Sequence, residues 1–174
     1  MSDQAIGSIY KDREGGIWIG TYSGGVNYLS PSASCIETYY PDILPGSLSG
    51  KTVRQFCEDE NENLWIATEN GGVNYFNTKD QTITQPIKGL YHNTHALLLD
   101  GDNLWIGTYA RGIHVYNTKT KSLSVFKRSP DGKNSINDDG IYALYKTKKG
   151  DIYVGTHAGL NKYCLLYTSD AADE

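Results

Sequence analysis

The chain has 174 residues, a formal charge of −4 from 16 basic and 20 acidic side chains, and 39% hydrophobic residues. This profile excludes a low-complexity disordered segment and leaves no basic surplus for an electrostatic nucleic-acid binder. No apolar run approaches the roughly 18 residues of a membrane helix, and Met1-Ser2-Asp3-Gln4 has no charged-then-apolar leader pattern.

In chain order, Ile6–Lys11 reads as a strand, Asp12-Arg13-Glu14-Gly15-Gly16 as a turn and Ile17–Thr21 as a second strand. A glycine loop, Ser23-Gly24-Gly25, leads into the run Val26–Leu29, and Cys35–Tyr39 supplies a fourth strand. The same order of elements returns three times. Val53–Glu58, the turn Asp59–Asn63 and Leu64–Thr68 precede Gly71-Gly72-Val73-Asn74-Tyr75 and the strand Thr82–Gln85. Thr94–Leu99, the turn Asp100–Asn103 and Leu104–Thr108 precede Arg111-Gly112-Ile113-His114-Val115 and Ser122–Phe126. Ile141–Lys146, the turn Thr147–Asp151 and Ile152–Thr156 precede Gly159-Leu160-Asn161-Lys162-Tyr163.

Trp18, Trp65, Trp105 and Tyr153 mark the period, with spacings of 47, 40 and 48 residues. Four short strands per unit of this length predict the blade of a β-propeller. Ile17-Trp18-Ile19 is apolar at consecutive positions, which suits a strand buried on both faces between stacked sheets. Gly20, Ala67, Gly107 and Gly155 stand two residues after each anchor, where a missing side chain lets a neighbouring sheet approach. Asp12, Asp59 and Asp100 open turns and are expected to accept backbone hydrogen bonds there. Asn77-Thr78-Lys79 and Asn117-Thr118-Lys119 are matching turns further along. Between units, Ser47-Leu48-Ser49 precedes Val53 as Ser135-Ile136-Asn137 precedes Ile141, and Met1-Ser2 falls on the same offset.

The expected fold is therefore all-β, a partial propeller of about three and a half four-stranded antiparallel blades in an open arc. Its blades are placed near residues 5–40, 52–87, 93–127 and 140–163, so the incomplete propeller occupies 1–163. Residues 164–174 break the repeat and closely resemble the conceptual translation of a sequencing adapter, so they are expected to be a non-native tail. That leaves Cys35 and Cys57, without metal-type spacing, as expected free thiols. An open arc exposes the faces of its end blades, so the isolated chain is expected to associate.

The pattern Asp-x-x-Gly-x-x-Trp-Ile-Gly-Thr-x-x-Gly-Gly-Val-Asn-Tyr, with Ser-Leu-Ser before the next unit, resembles the two-component-regulator propeller repeat. Asp12–Tyr28 fits best and Asp59–Tyr75 well. Asp100–Val115 departs, with a first turn one residue short and Arg111 in place of the first glycine of the pair. The last unit has Thr147 for Asp and Tyr153 for Trp. The resemblance implies the periplasmic sensor region of a hybrid histidine kinase of Bacteroidetes type. Such a region detects oligosaccharides, in a homodimeric parent anchored in the inner membrane. Partners are then an oligosaccharide and the remaining blades of the parent chain. Any membrane contact runs through parent segments outside this one, and the kinase is not part of it.

A meander puts the linker before the first strand and the loop between strands two and three on one face of the disc. Tyr22, Glu69, Asn70, Tyr109, Arg111 and His157 vary there on a fixed hairpin frame, and rings beside amide, carboxylate and guanidinium groups suit a sugar. They are the expected ligand-binding residues. His92 and His95 lack a third ligand, so no metal site is assigned, and His114 reads as a packed or edge residue. No Gly-x-Ser-x-Gly, Walker-type loop or Cys-x-x-Cys is present, so no catalytic residue and no cofactor are assigned. Two alternatives stay open: a fragment of a secreted propeller glycoside hydrolase with its carboxylate pair in other blades, and a protein-interaction propeller.

Overall fold

The computed structural model describes residues 2–32, 36–132 and 135–163. The expected strand start at Cys35, the linker residue Asn134 and the tail 164–174 lie outside them. Among the described residues there is no helix, and the strands fall into four antiparallel sheets. The first holds β1 (Ile6–Lys11), β2 (Ile17–Thr21), β3 (Val26–Leu29) and β4 (Ile36–Tyr39). The second holds β5 (Thr52–Glu58), β6 (Leu64–Glu69), β7 (Gly72–Asn77) and β8 (Thr82–Thr84). The third holds β9 (Thr94–Asp100), β10 (Asn103–Thr108), β11 (Ile113–Asn117) and β12 (Leu123–Phe126). The fourth has three strands, β13 (Ile141–Lys146), β14 (Ile152–Thr156) and β15 (Gly159–Tyr163). Strand order in each sheet is sequence order, so every sheet is a meander of the kind a blade requires.

The two faces of a blade have different jobs, because side chains alternate along a strand. Phe56, Ile66 and Asn74 are cross-strand partners on the face of the second blade that meets the first. Cys57, Trp65 and Tyr75 are partners on its other face, which meets the third. Three apolar clusters follow, one at each junction. Trp18, Val26, Val53 and Phe76 fill the first, Trp65, Val73, Leu97 and Ile106 the second, and Trp105, Ile113, Ile141 and Val154 the third. The middle strands β6 and β10 are buried on both faces, which explains their consecutive apolar residues.

Close packing needs a gap opposite each β-branched residue. A Cβ added at Gly20 would sit 2.7 Å from Val53 Cγ1, and one at Gly107 would sit 2.6 Å from Ile141 Cγ2. In the last blade a Cβ at Gly155 would meet Ala143 at 3.3 Å and nothing closer, because that face has no neighbour among the described residues.

Hydrogen bonds then stitch linker to hairpin. Asn27, Asn74 and Asn161 each accept the backbone N–H of the preceding linker through Oδ1, from Ser2, Ser49 and Asn137 at 3.0 Å in each case. Thr21, Thr68 and Thr108 donate to Gly25, Gly72 and Gly112 carbonyls at 2.8–2.9 Å, closing the hairpin from inside.

Among the described residues the end faces carry exposed apolar side chains. Ile9 and Ile36 are 65% and 39% exposed on the first blade, and Tyr145 and Leu160 are 64% and 70% exposed on the last. These positions correspond to inward ones in the middle blades.

Two outcomes are expected. Gly107→Ala lowers stability by about 1–3 kcal/mol through overpacking, and Gly155→Ala by markedly less, as read from urea midpoints. The wild-type chain elutes as associated species, and Ile9→Lys combined with Leu160→Lys shifts it toward monomer in size-exclusion chromatography with light scattering.

Candidate functional site

The first strands of successive sheets are neighbours: β1 lies beside β5, β5 beside β9 and β9 beside β13. They therefore form the narrow inner side of the arc. Each breaks register with its partner near its start, between Ile6 and Ser8, between Val53 and Gln55, opposite Gly107/Thr108, and between Ile141 and Ala143. The residues left over are Gly7, Arg54, His95 and Tyr142. A bulge re-aims a side chain out of the alternation, and at this position it turns it toward the loops of the linker face.

Three of these bulge residues meet the residue that follows each hairpin threonine. The Arg54 guanidinium lies 5.8 Å from the Tyr22 ring centroid and pairs with Glu69 at 2.6 Å. His95 stacks near Tyr109 and Tyr142, with ring centroids 5.6 and 5.3 Å away. Tyr142 continues to His157 at 6.2 Å. The result is a file of aromatic, cationic and carboxylate groups across all four blades. Tyr22, Tyr109 and Tyr142 remain 54%, 49% and 46% exposed, so ring faces are free to stack. His95 is buried and its Nε2 has no hydrogen-bond partner.

Backbone bonds hold this rim. Tyr22, Tyr109 and His157 donate to the carbonyls of Ala5, Asn93 and Gly140, while Gly25, Gly72 and Gly112 donate to Lys51, His92 and Asp139. Each hairpin is thus tied to the linker before its own blade and to the linker leading to the next.

Of the residues expected from sequence, Tyr22, Glu69, Tyr109 and His157 stand in the file. Asn70 is a turn residue at φ 62°, a left-handed conformation that Asn tolerates. Arg111 has other neighbours: its guanidinium lies 5.7 Å from the Tyr91 ring centroid, in a separate cavity. Sequence reasoning missed Arg54, His95 and Tyr142. The signal was their common offset, one residue after the first inner-strand residue of Val53, Thr94 and Ile141, with no shared chemistry to mark it.

The opposite face carries frame chemistry. Asp12 accepts from the Gly16 N–H at 2.6 Å and from Trp18 Nε1 at 2.8 Å. Asp59 accepts from Asn61 and Asn63 N–H and from the Tyr75 hydroxyl at 2.8 Å. Asp100 departs from the expectation: its turn is one residue short, it closes β9, and its carboxylate pairs with Lys146 of the next blade. Trp105 Nε1 is left without a partner in consequence. A cavity of about 190 Å³ opens here between the first two blades, lined by Trp18, Tyr39 and Phe76 with Glu37, Glu58 and Glu62. Burial and the Asp59 hydrogen bond push the Tyr75 phenol up to about 12, and burial with Glu37 does the same for Tyr39. Both phenols stay protonated and act as donors. Cys57 is a free thiol that burial pushes up to about 11. Among the described residues no three His, Cys, Asp or Glu side chains gather into a metal-holding group.

The chain matches the two component regulator propeller family at residues 1–23, 47–70 and 135–158. Each matched segment spans a linker and the first two strands of a blade, and the third blade is passed over. Among solved structures, the extracellular domain of one B. thetaiotaomicron protein assigned as a hybrid two component system is 24% identical, with TM-score 0.78 over 92% of this chain and 20% of its own. A second such domain from the same organism is 22% identical, with TM-score 0.81 over 95% and 24%. The WD40 propeller domain of Doa1 is 12% identical, with TM-score 0.72 over 97% and 53%. These likenesses establish the propeller fold. The chain spans about a fifth to a quarter of the length of the two B. thetaiotaomicron domains. Comparison with curated proteins gave no match.

One pH effect follows from the file. Burial first, then Arg54, holds His95 below its ordinary 6.5. The unfolded chain therefore binds that proton more readily, so stability is unaffected well above pH 6.5 and falls as pH drops below it. His95→Asn is expected to flatten this decline without abolishing it, because His114 is lowered in the same way. Urea midpoints at pH 7.5 and 5.5 provide the comparison.

Proposed function

We propose that this chain is part of the extracytoplasmic propeller of a bacterial hybrid two-component sensor, and that the file on its linker face binds an oligosaccharide. The observation that carries the reading is the chain of contacts Tyr22–Arg54–Glu69 and His95–Tyr109–Tyr142–His157 across four consecutive blades. Half-exposed rings stack on the C–H faces of sugars, and the interleaved guanidinium, imidazole and carboxylate groups fork onto hydroxyls.

Support for the sensor context comes from the repeat family and from the two B. thetaiotaomicron domains, which belong to proteins assigned as hybrid two component systems. Transmission to a kinase, placement outside the cytoplasm and anchoring in the inner membrane are properties of the longer parent in this reading. Ligand binding across several blades would fix their relative placement, and that is what downstream segments would sense. Catalysis is not assigned to the file. Its carboxylate, Glu69, is engaged by Arg54 at 2.6 Å and has no second carboxylate beside it in the file, whereas a glycosidase pair needs two flanking the bond.

The test is a glycan array probed with the intact receptor, then titration of the strongest oligosaccharide. Tyr109→Ala combined with Tyr142→Ala is expected to weaken binding about tenfold or more, the loss of two stacking faces. Unchanged affinity in that variant would remove the file from the ligand site.

A further inference from the structure

The third blade breaks three rules of the repeat, and the breaks converge on one place. Elsewhere the linker packs onto its own hairpin: a Cβ at Gly24 would lie 2.5 Å from Ser2 Oγ, and one at Gly71 would lie 2.6 Å from the linker backbone at Ser49 and Gly50. In the third blade Arg111 occupies that glycine's position. Elsewhere Asn27, Asn74 and Asn161 pin the linker backbone. Here the residue is His114, cross-strand partner of Ile106 and Val125, and its Nδ1 has no hydrogen-bond partner although the side chain is 94% buried, at 6% relative exposure. The linker itself, Gly89-Leu90-Tyr91-His92, lacks the Ser-Leu-Ser pattern.

Here the linker and hairpin lack that pin and carry an arginine in place of glycine; they meet instead where the Arg111 guanidinium lies 5.7 Å from the Tyr91 ring centroid and the Tyr109 N–H donates to the Asn93 carbonyl. A cavity of about 460 Å³ opens between them. Its lining carries the cations Arg111 and Lys127 and the imidazoles of His92 and His114, with no carboxylate among the lining residues. Leu90, Tyr91 and Val125 complete the walls. Lys127 is close enough to His114 to hold its imidazole below the ordinary value, after burial has done most of this. No carboxylate among the lining residues neutralises Arg111 or Lys127, and Arg111 lies against the Tyr91 ring.

We propose that this cavity is a second ligand site, specific for an oxyanion, either a carboxylate or a sulfate group. Arg111 offers a planar fork of N–H donors and Lys127 a point charge, with the His114 ring in the wall beside them. Charge-assisted bonds of this kind are the strong ones, and the apolar wall lets the anion be carried on a ring or a short chain. This inference does not depend on the linker-face file, whose residues are different ones.

Isothermal titration of the 174-residue chain at pH 7 and constant ionic strength tests it, with sodium glucuronate, sodium sulfate and glucose as probes. Saturable binding of glucuronate, of sulfate or of both, with no binding of glucose, is expected. Glucuronate alone identifies a carboxylate on a ring, and sulfate alone a tetrahedral anion. Arg111→Gly and His114→Asn restore residues the other blades already use, and Lys127→Gln alters an exposed side chain, so the variants should melt like the parent. Arg111→Gly and Lys127→Gln should each weaken binding about tenfold and together abolish it. Absence of binding by both anions overturns the proposal, as does undiminished affinity in the double variant.

Discussion

This fold depends on one steric fit: a residue with little or no side chain (Gly20, Ala67 or Gly107), two positions after a tryptophan anchor, set against the start of the next blade's inner strand. Gly20 against Val53 and Gly107 against Ile141 bring sheets together so closely that a single methyl group would intrude. Three apolar clusters form because of that approach, and each is shared by two blades. No blade has a core of its own. The sheets are thin, so stability is a property of junctions, as in other repeat arrays.

The fit also divides the residues into those that build and those that are free to differ. Thr21, Thr68 and Thr108 close their hairpins in the same way, and Asn27, Asn74 and Asn161 pin their linkers in the same way. At the inner bulge the four blades have Gly7, Arg54, His95 and Tyr142. At Gly7 a side chain would run into the Val53 carbonyl 2.7 Å away, whereas Arg54, His95 and Tyr142 carry side chains of unlike chemistry. A rim of unlike groups on a rigid hub is what recognition of an irregular ligand requires.

Much of the frame was legible in the sequence, because hydrophobic runs, glycine loops and Asp-led turns recur at fixed offsets. β1, β2 and β3 begin and end where the pattern placed them. The candidate site was legible only in part. Tyr22, Glu69, Tyr109 and His157 could be placed from topology, since the loop between strands two and three must share a face with the linker. Arg54, His95 and Tyr142 could not, because a bulge arises from register between two strands and leaves no mark on either one alone. Arg111 was placed by topology on the same face as Tyr109, yet its guanidinium finds Tyr91.

The departures of the third blade are informative for the same reason that the agreements of the others are. Its shortened turn strands the Trp105 indole N–H on one face, and its Arg111 and His114 line the cavity beside the linker on the other. A frame position tolerates change only when the contact it served has already been given up. Arg111 could not stand where Gly24 and Gly71 do, because a carbon added there lies 2.5–2.6 Å from the linker. The buried His114 nitrogen without a partner is the residue of that exchange: it occupies the place of an asparagine that made a hydrogen bond, and makes none within the chain. A buried polar atom left unsatisfied is costly, of order 1–3 kcal/mol, so the third blade bears at His114 a cost that the asparagine blades do not.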